Sequence, residues 1–92
     1  MDNSTLMALL KADLDLLSVP KEREAYLTQQ IEAAKSMIQR EGITLTDTPE
    51  DTQLVVMYAA WLYRKRNTGE GMPRMIRYAL NNRVISQRGQ GV

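Results

Sequence analysis

Apolar residues recur along most of this chain at the three-and-four spacing of helices buried on one side, and in one stretch the alternation stops altogether. Leu6, Leu10, Leu14 and Leu17 lie at steps of four, four and three, and Leu9 and Leu16 widen the stripe. The spacing predicts a first helix over 4–17, capped by Asn3 or Ser4 and broken by Ser18-Val19-Pro20. Leu27, Ile31, Ala34 and Ile38 repeat the pattern, with Tyr26 and Met37 beside them, and predict a second helix over 21–41. Glu22 and Glu24 in its first turn and Arg40 in its last suit the helix dipole, and Gly42 is the expected stop.

Ile43-Thr44-Leu45-Thr46 reads as a short connector with extended character. Thr48-Pro49-Glu50-Asp51 then combines a capping hydroxyl, a proline for the first helical position and acids for the first turn, which predicts a third helix over 49–66. Inside it LVVMYAAWLY, Leu54 to Tyr63, carries no polar side chain beyond the tyrosine hydroxyls. A helix that is apolar on every side must be surrounded, by other helices of its own chain or by a neighbouring subunit. Asn67 to Gly71 is a turn. Met72-Pro73 reopens a fourth helix over 73–82, with Met72, Ile76, Ala79 and Leu80 on one side and Arg74, Arg77 and Asn81 on the other. Continuing it would put Arg83 on the apolar side, so Val84-Ile85 is expected to be an irregular or extended return and 86–92 a mobile tail. The fold class is all-α: a single domain of about four helices packed as a small bundle, with a flexible C-terminal tail.

Charge changes the picture in its distribution rather than its sum. The net charge is +1, yet every acid except Glu70 precedes Leu54, while Arg64, Lys65, Arg66, Arg74, Arg77, Arg83 and Arg88 follow it. Two readings of this arginine-dominated half stay open: a surface for phosphate or carboxylate partners, or a solvated face balanced by the acidic half of the same subunit.

With neither cysteine nor histidine in its 92 residues, the chain offers no disulfide, thiolate zinc site, imidazole base or His-dependent triad. Asp13 and Asp15, two apart, point to different sides of a helix and cannot readily share a metal or a proton. Gly69-Glu70-Gly71 lacks the later glycine of a dinucleotide fingerprint and the Gly-Lys-Ser/Thr of a P-loop. Lys11 and Lys35 have acidic neighbours and nothing that marks either as an activated amine. No convergent acid, base and nucleophile is in view, so a binding or structural protein without cofactor or metal is expected. Tyr58, Trp61 and Tyr63 are read as core or subunit-interface aromatics rather than a base-stacking platform. The apolar run falls short of the roughly 20 residues of a membrane span, and the N-terminal segment is polar and acidic, so a soluble protein of the cytoplasm is expected.

The order of LLKADLDL, EAAKSMI, the proline-acid helix start, LVVMYAAWLYRKR and GMPRMIRYALNNR resembles the small head-to-tail connector proteins of tailed bacteriophages and prophages, from about Leu6 to Gln87. The most specific part is AAWLYRKR followed by MPRMIRYALNNR. The resemblance implies an all-helical virion adaptor at the head-to-tail junction, made in the host cytoplasm. It would add to the portal protein's ring after DNA packaging and form a ring of its own with portal symmetry, expected to be dodecameric. It would also extend the channel for packaged double-stranded DNA, contacted without sequence preference, and dock the next head-completion or tail protein; no membrane is involved. Such proteins have no fixed set of site residues. On charge and position, Arg64, Lys65, Arg66, Arg74 and Arg77 are the candidates for subunit or DNA-channel contacts. The alternative is a small helical DNA-binding regulator whose fourth helix offers Arg74, Arg77, Asn81 and Asn82 to a groove, although the turn before it is longer than a helix-turn-helix joint.

Overall fold

The computed structural model describes residues 1–90, and among them every regular element is a helix. These are α1 (Asn3–Asp13), α2 (Lys21–Arg40), α3 (Pro49–Thr68) and α4 (Arg74–Gln90). They make an elongated body of 47 × 28 × 18 Å.

Local chemistry sets most of the boundaries. Pro20 stands at the N-cap of α2 in extended conformation. Thr48 caps α3 by accepting from the Asp51 N–H, with Pro49 at the first position. The Pro73 carbonyl accepts from the amides of Ile76 and Arg77 as α4 begins. Each proline therefore sits where its missing donor costs nothing and its fixed φ favours the turn into a helix. α3 ends on Gly69 at φ 66°, whose N–H bonds the Lys65 carbonyl. That left-handed geometry is cheap only for glycine.

α1 is shorter than its leucine spacing predicts, and Asp2 rather than Asn3 or Ser4 caps it, accepting from the Ser4 N–H. The helix stops at Asp13 because Asp15 adopts φ 59°. The Leu16 N–H reaches the Lys11 carbonyl at 2.8 Å and the Asp15 N–H reaches that of Ala12 at 3.2 Å. This pair of bonds is a Schellman turn, with aspartate in the place usually held by glycine. Leu14 and Leu16 still pack against the core, while Leu17 is thrown out into solvent. Spacing alone cannot separate a fourth helical turn from a cap that returns the same leucines to the core.

α3 is the central element, packed on α1, α2 and α4 and most extensively on α2. Leu54, Val55, Val56, Tyr58, Ala59, Ala60, Trp61 and Leu62 are all buried. Leu6 and Leu10 of α1, Leu27, Ile31, Ala34 and Ile38 of α2, and Ile76 and Leu80 of α4 close around them, with Ile43 from the connector. The run that is apolar on every side is thus enclosed by helices of its own chain.

The largest departure from expectation is α4. It continues unbroken through Arg83, Val84 and Ile85 to Gln90, replacing both the expected return and the 86–90 part of the expected tail. Residues 91–92, the remainder of that tail, lie outside the described residues. Arg83 does lie on the inner side of α4, and the inner side holds an acid to meet it.

Candidate functional site

Asp51 occupies the first turn of α3, where its backbone N–H is held by the Thr48 hydroxyl. Its side chain is 1% exposed. The carboxylate receives Arg83 Nε at 2.8 Å on Oδ1, and Arg83 Nη2 at 3.2 Å together with the Thr46 N–H at 2.8 Å and hydroxyl at 2.9 Å on Oδ2. Burial pushes this carboxyl up, but the hydrogen bonds from Arg83 and Thr46 and the guanidinium charge outweigh it, so the net shift is below the usual aspartate range. The same bond raises Arg83.

One turn on, Gln87 donates from Nε2 to the Gly42 carbonyl at 2.5 Å and accepts the Thr44 N–H at 2.6 Å on Oε1. Arg83 Nη2 also donates to the Thr44 carbonyl at 2.7 Å. Arg83 and Gln87 therefore fasten α4 to the 42–46 connector and to the start of α3. No buried side-chain nitrogen or oxygen among the described residues lacks a hydrogen-bond partner, so the latch has the character of a structural joint. Sequence reasoning treated Asp51 as a helix-start acid and Arg83 as a helix terminator. The available signal was that one buried charge requires another.

The predicted site residues divide by what they already touch. Arg64 lies 3.7 Å from Asp13 and 3.9 Å from Glu70. Lys65 stands over the Trp61 ring at 4.6 Å, and Arg66 stands over Tyr63 at 4.4 Å and Tyr26 at 5.5 Å. Arg77 pairs with Glu41 at 3.3 Å. These are exposed or half-exposed contacts, each contributing on the order of 0.5 kcal/mol. They are loose enough to be exchanged for an outside partner. Arg74 has no ion-pair partner among the described residues, nor has Arg88.

Of the aromatics, Tyr58 and Trp61 are core residues. Their rings meet edge to face at 5.5 Å, the Tyr58 hydroxyl reaches Met37 Sδ at 3.6 Å, and the Trp61 indole N–H donates to the Glu70 carbonyl at 3.2 Å. Burial raises the Tyr58 pKa, helped by Glu41 and opposed by Arg77. Tyr63 is half-buried, edge to face with Tyr26 at 6.1 Å, and its hydroxyl accepts from Arg23. Trp61 and Tyr58 thus have no free face for a base.

Among the described residues no group of three or more acidic, cysteine or histidine side chains is placed to hold a metal ion, and no helix is long and apolar enough to cross a membrane. In comparison with known proteins, no protein-family model matches the sequence, and neither a curated protein nor a solved structure is similar to it at a significant level.

The surface that sequence reasoning missed is the outer side of α4. Met75, Tyr78 and Ile85 are 68%, 61% and 66% exposed, on the side facing away from Ile76, Leu80 and Arg83. Extending the helix past residue 82 is what aligns Ile85 with Met75 and Tyr78. The truncated helix of the sequence reading concealed the stripe.

Proposed function

We propose that the chain is a head-to-tail connector of a tailed phage or prophage, a structural protein rather than an enzyme. It adds to the portal ring, extends the channel for packaged DNA and docks the next head-completion or tail protein. The resemblance of AAWLYRKR and MPRMIRYALNNR supports this reading. The observation that carries it is that the second of these blocks forms an exposed helix face, apolar and arginine-edged, on an otherwise well-enclosed helical bundle. A protein whose role is to sit between larger assemblies needs such a face, and contiguous exposed apolar surface marks interaction sites. The basic side chains at the end of α3 and along α4 suit either phosphates in a channel or acids of an adjacent subunit.

The test is an affinity purification of the tagged chain from cells producing particles, with the partners identified and the complex sized. A ring-forming portal protein and tail-completion proteins are expected. Recovery of duplex DNA without virion proteins would overturn the connector in favour of the DNA-binding regulator. That rival would offer Arg74, Arg77, Asn81 and Asn82, all exposed on α4, to a groove, but Met75, Tyr78 and Ile85 interrupt them, and the 69–73 segment between α3 and α4 is longer than a helix-turn-helix joint.

A further inference from the structure

At the end of the bundle where α2 begins and α3 finishes, two matched pairs of side chains face each other. Arg23 and Tyr26 stand three residues apart on α2, and Tyr63 and Arg66 three apart on α3, so each pair shares one side of its helix. The pairs cross. Arg23 donates to the Tyr63 hydroxyl, and its guanidinium carbon lies 5.7 Å from the centre of that ring. Arg66 stands over the same ring at 4.4 Å and reaches Tyr26 at 5.5 Å. The two tyrosines are half-buried and meet edge to face, while both arginines are exposed.

What sets this cluster apart is that its charges go unanswered within the chain. Lys11, Arg64 and Arg77 reach Glu24, Asp13 and Glu41 on other elements. Arg23 and Arg66 instead converge on one tyrosine, and neither has a carboxylate partner among the described residues. Glu22 and Glu24, beside Arg23 in sequence, project from other sides of α2, and Glu24 is taken by Lys11. Attraction of each cation to a π face is what holds the two like charges near each other. Tyr63 accepts from Arg23, and its own O–H donates to no acceptor among the described residues. The cluster therefore presents the N–H groups of two guanidiniums and one hydroxyl proton, all donors.

We infer that Arg23, Tyr63 and Arg66 form a binding site for a terminal phosphate group, either a phosphate monoester or phosphate itself. Charge and valence together select this anion. A terminal phosphate carries close to two negative charges at neutral pH and three strong acceptor oxygens, matching two guanidiniums and one hydroxyl. A carboxylate is satisfied by a single guanidinium fork, and a backbone phosphodiester brings only one charge. The site belongs to the folded chain alone and goes beyond the connector reading, which calls for contacts to phosphodiesters and not to a terminal group.

The test is a titration of the isotopically labelled full chain with inorganic phosphate at neutral pH, followed through the arginine side-chain and tyrosine ring signals in NMR spectra. Sodium chloride is lowered in step to hold the ionic strength constant. The signals of Arg23, Tyr63 and Arg66 should shift together and saturate. Those of Arg88 should not, because Gln87 beside it bonds the Gly42 carbonyl beyond the far end of α2. Arg23→Gln and Arg66→Gln should each weaken binding about tenfold. Tyr63→Phe, which keeps the ring for both cations, should weaken it severalfold. An amide spectrum unchanged away from the substitution confirms that each variant is folded. Uridine monophosphate and dimethyl phosphate are the further probes. Tighter binding of the nucleotide than of phosphate supports the site and names a phosphorylated small molecule as its source, while equal binding supports it with free phosphate as the source. Dimethyl phosphate binding as tightly as phosphate would overturn the assignment in favour of a nucleic-acid backbone contact. Shifts that fail to saturate, or that Arg88 shares, would reduce the cluster to a diffuse counter-ion effect and remove the site.

Discussion

The bundle of α1, α2 and α3 and the attachment of α4 are held by different physics. The first is an apolar core in which α3 is enclosed on nearly every side and, Asp51 apart, the fully buried side chains are leucine, isoleucine, alanine and valine. The second uses Ile76 and Leu80 for packing, then a ladder of charge and amide contacts through Arg83 and Gln87. Apolar burial is non-directional and tolerates small shifts, whereas a buried ion pair demands geometry and costs desolvation. A hydrophobic pair at 51 and 83 would hold α4 as firmly. What the ion pair adds is register: α4 meets the connector in only one axial position, and that position fixes which side of α4 faces outward.

The comparison breaks most visibly in the core. Leu27→Ala should destabilise the whole bundle by about 3 kcal/mol, with every helix losing hydrogen-exchange protection together. Arg83→Ala strands the Asp51 carboxylate in a buried site and should weaken the attachment of α4, read by hydrogen exchange, by about 3 kcal/mol. Its signature is different, because protection should fall first and furthest in α4 and residues 42–46 while α2 and α3 keep theirs. Equal loss in all helices would show that the latch and the core are one cooperative unit.

Acid sharpens the same contrast. Burial disfavours the charged Asp51 but its hydrogen bonds prevail, so its pKa is depressed in the folded state. Stabilisation from a depressed carboxyl is complete above its unfolded value, near 3.9, and is lost as pH falls through the lower folded value. Denaturant midpoints should therefore drop from about pH 5 to pH 3 more steeply for the native chain than for Asp51→Asn. The smallest effect concerns α1: Asp15→Gly, at φ 59°, should raise stability by about 0.5 kcal/mol by relieving a left-handed aspartate.

The elements that sequence reasoning placed well are those with a start signal and a uniform stripe. α2 carries one from Leu27 to Ile38, and α3 has threonine, proline and acids at its head, so both are legible to within about two residues. α1 and α4 were misjudged for opposite reasons. In α1 the leucines continue in sequence past the point where Asp15 turns the backbone, so the stripe outlasts the helix. In α4 a charge on the apolar side was read as a terminator, though its partner lies 32 residues earlier on another helix. Asp51 in turn looked like an ordinary dipole-complementing acid. Pairing across elements is a tertiary fact that a periodicity of 3.6 does not carry. The same missed pair hid the candidate surface, since Ile85 joins Met75 and Tyr78 only if the helix continues through Arg83.

The 42–46 connector has a further consequence for the chain before its last helix docks. The Gly42 carbonyl, the Thr44 N–H and carbonyl, and the Thr46 N–H belong to every second residue of the connector, the set that a neighbouring strand bonds along an extended chain. Here Gln87, Arg83 and Asp51 side chains fill all four. They occupy backbone groups that the connector would otherwise leave open beside the apolar Ile43 and Leu45. A chain whose α4 is undocked, as when Arg83 is lost, leaves those four backbone groups without the side-chain partners that close them, beside two apolar residues.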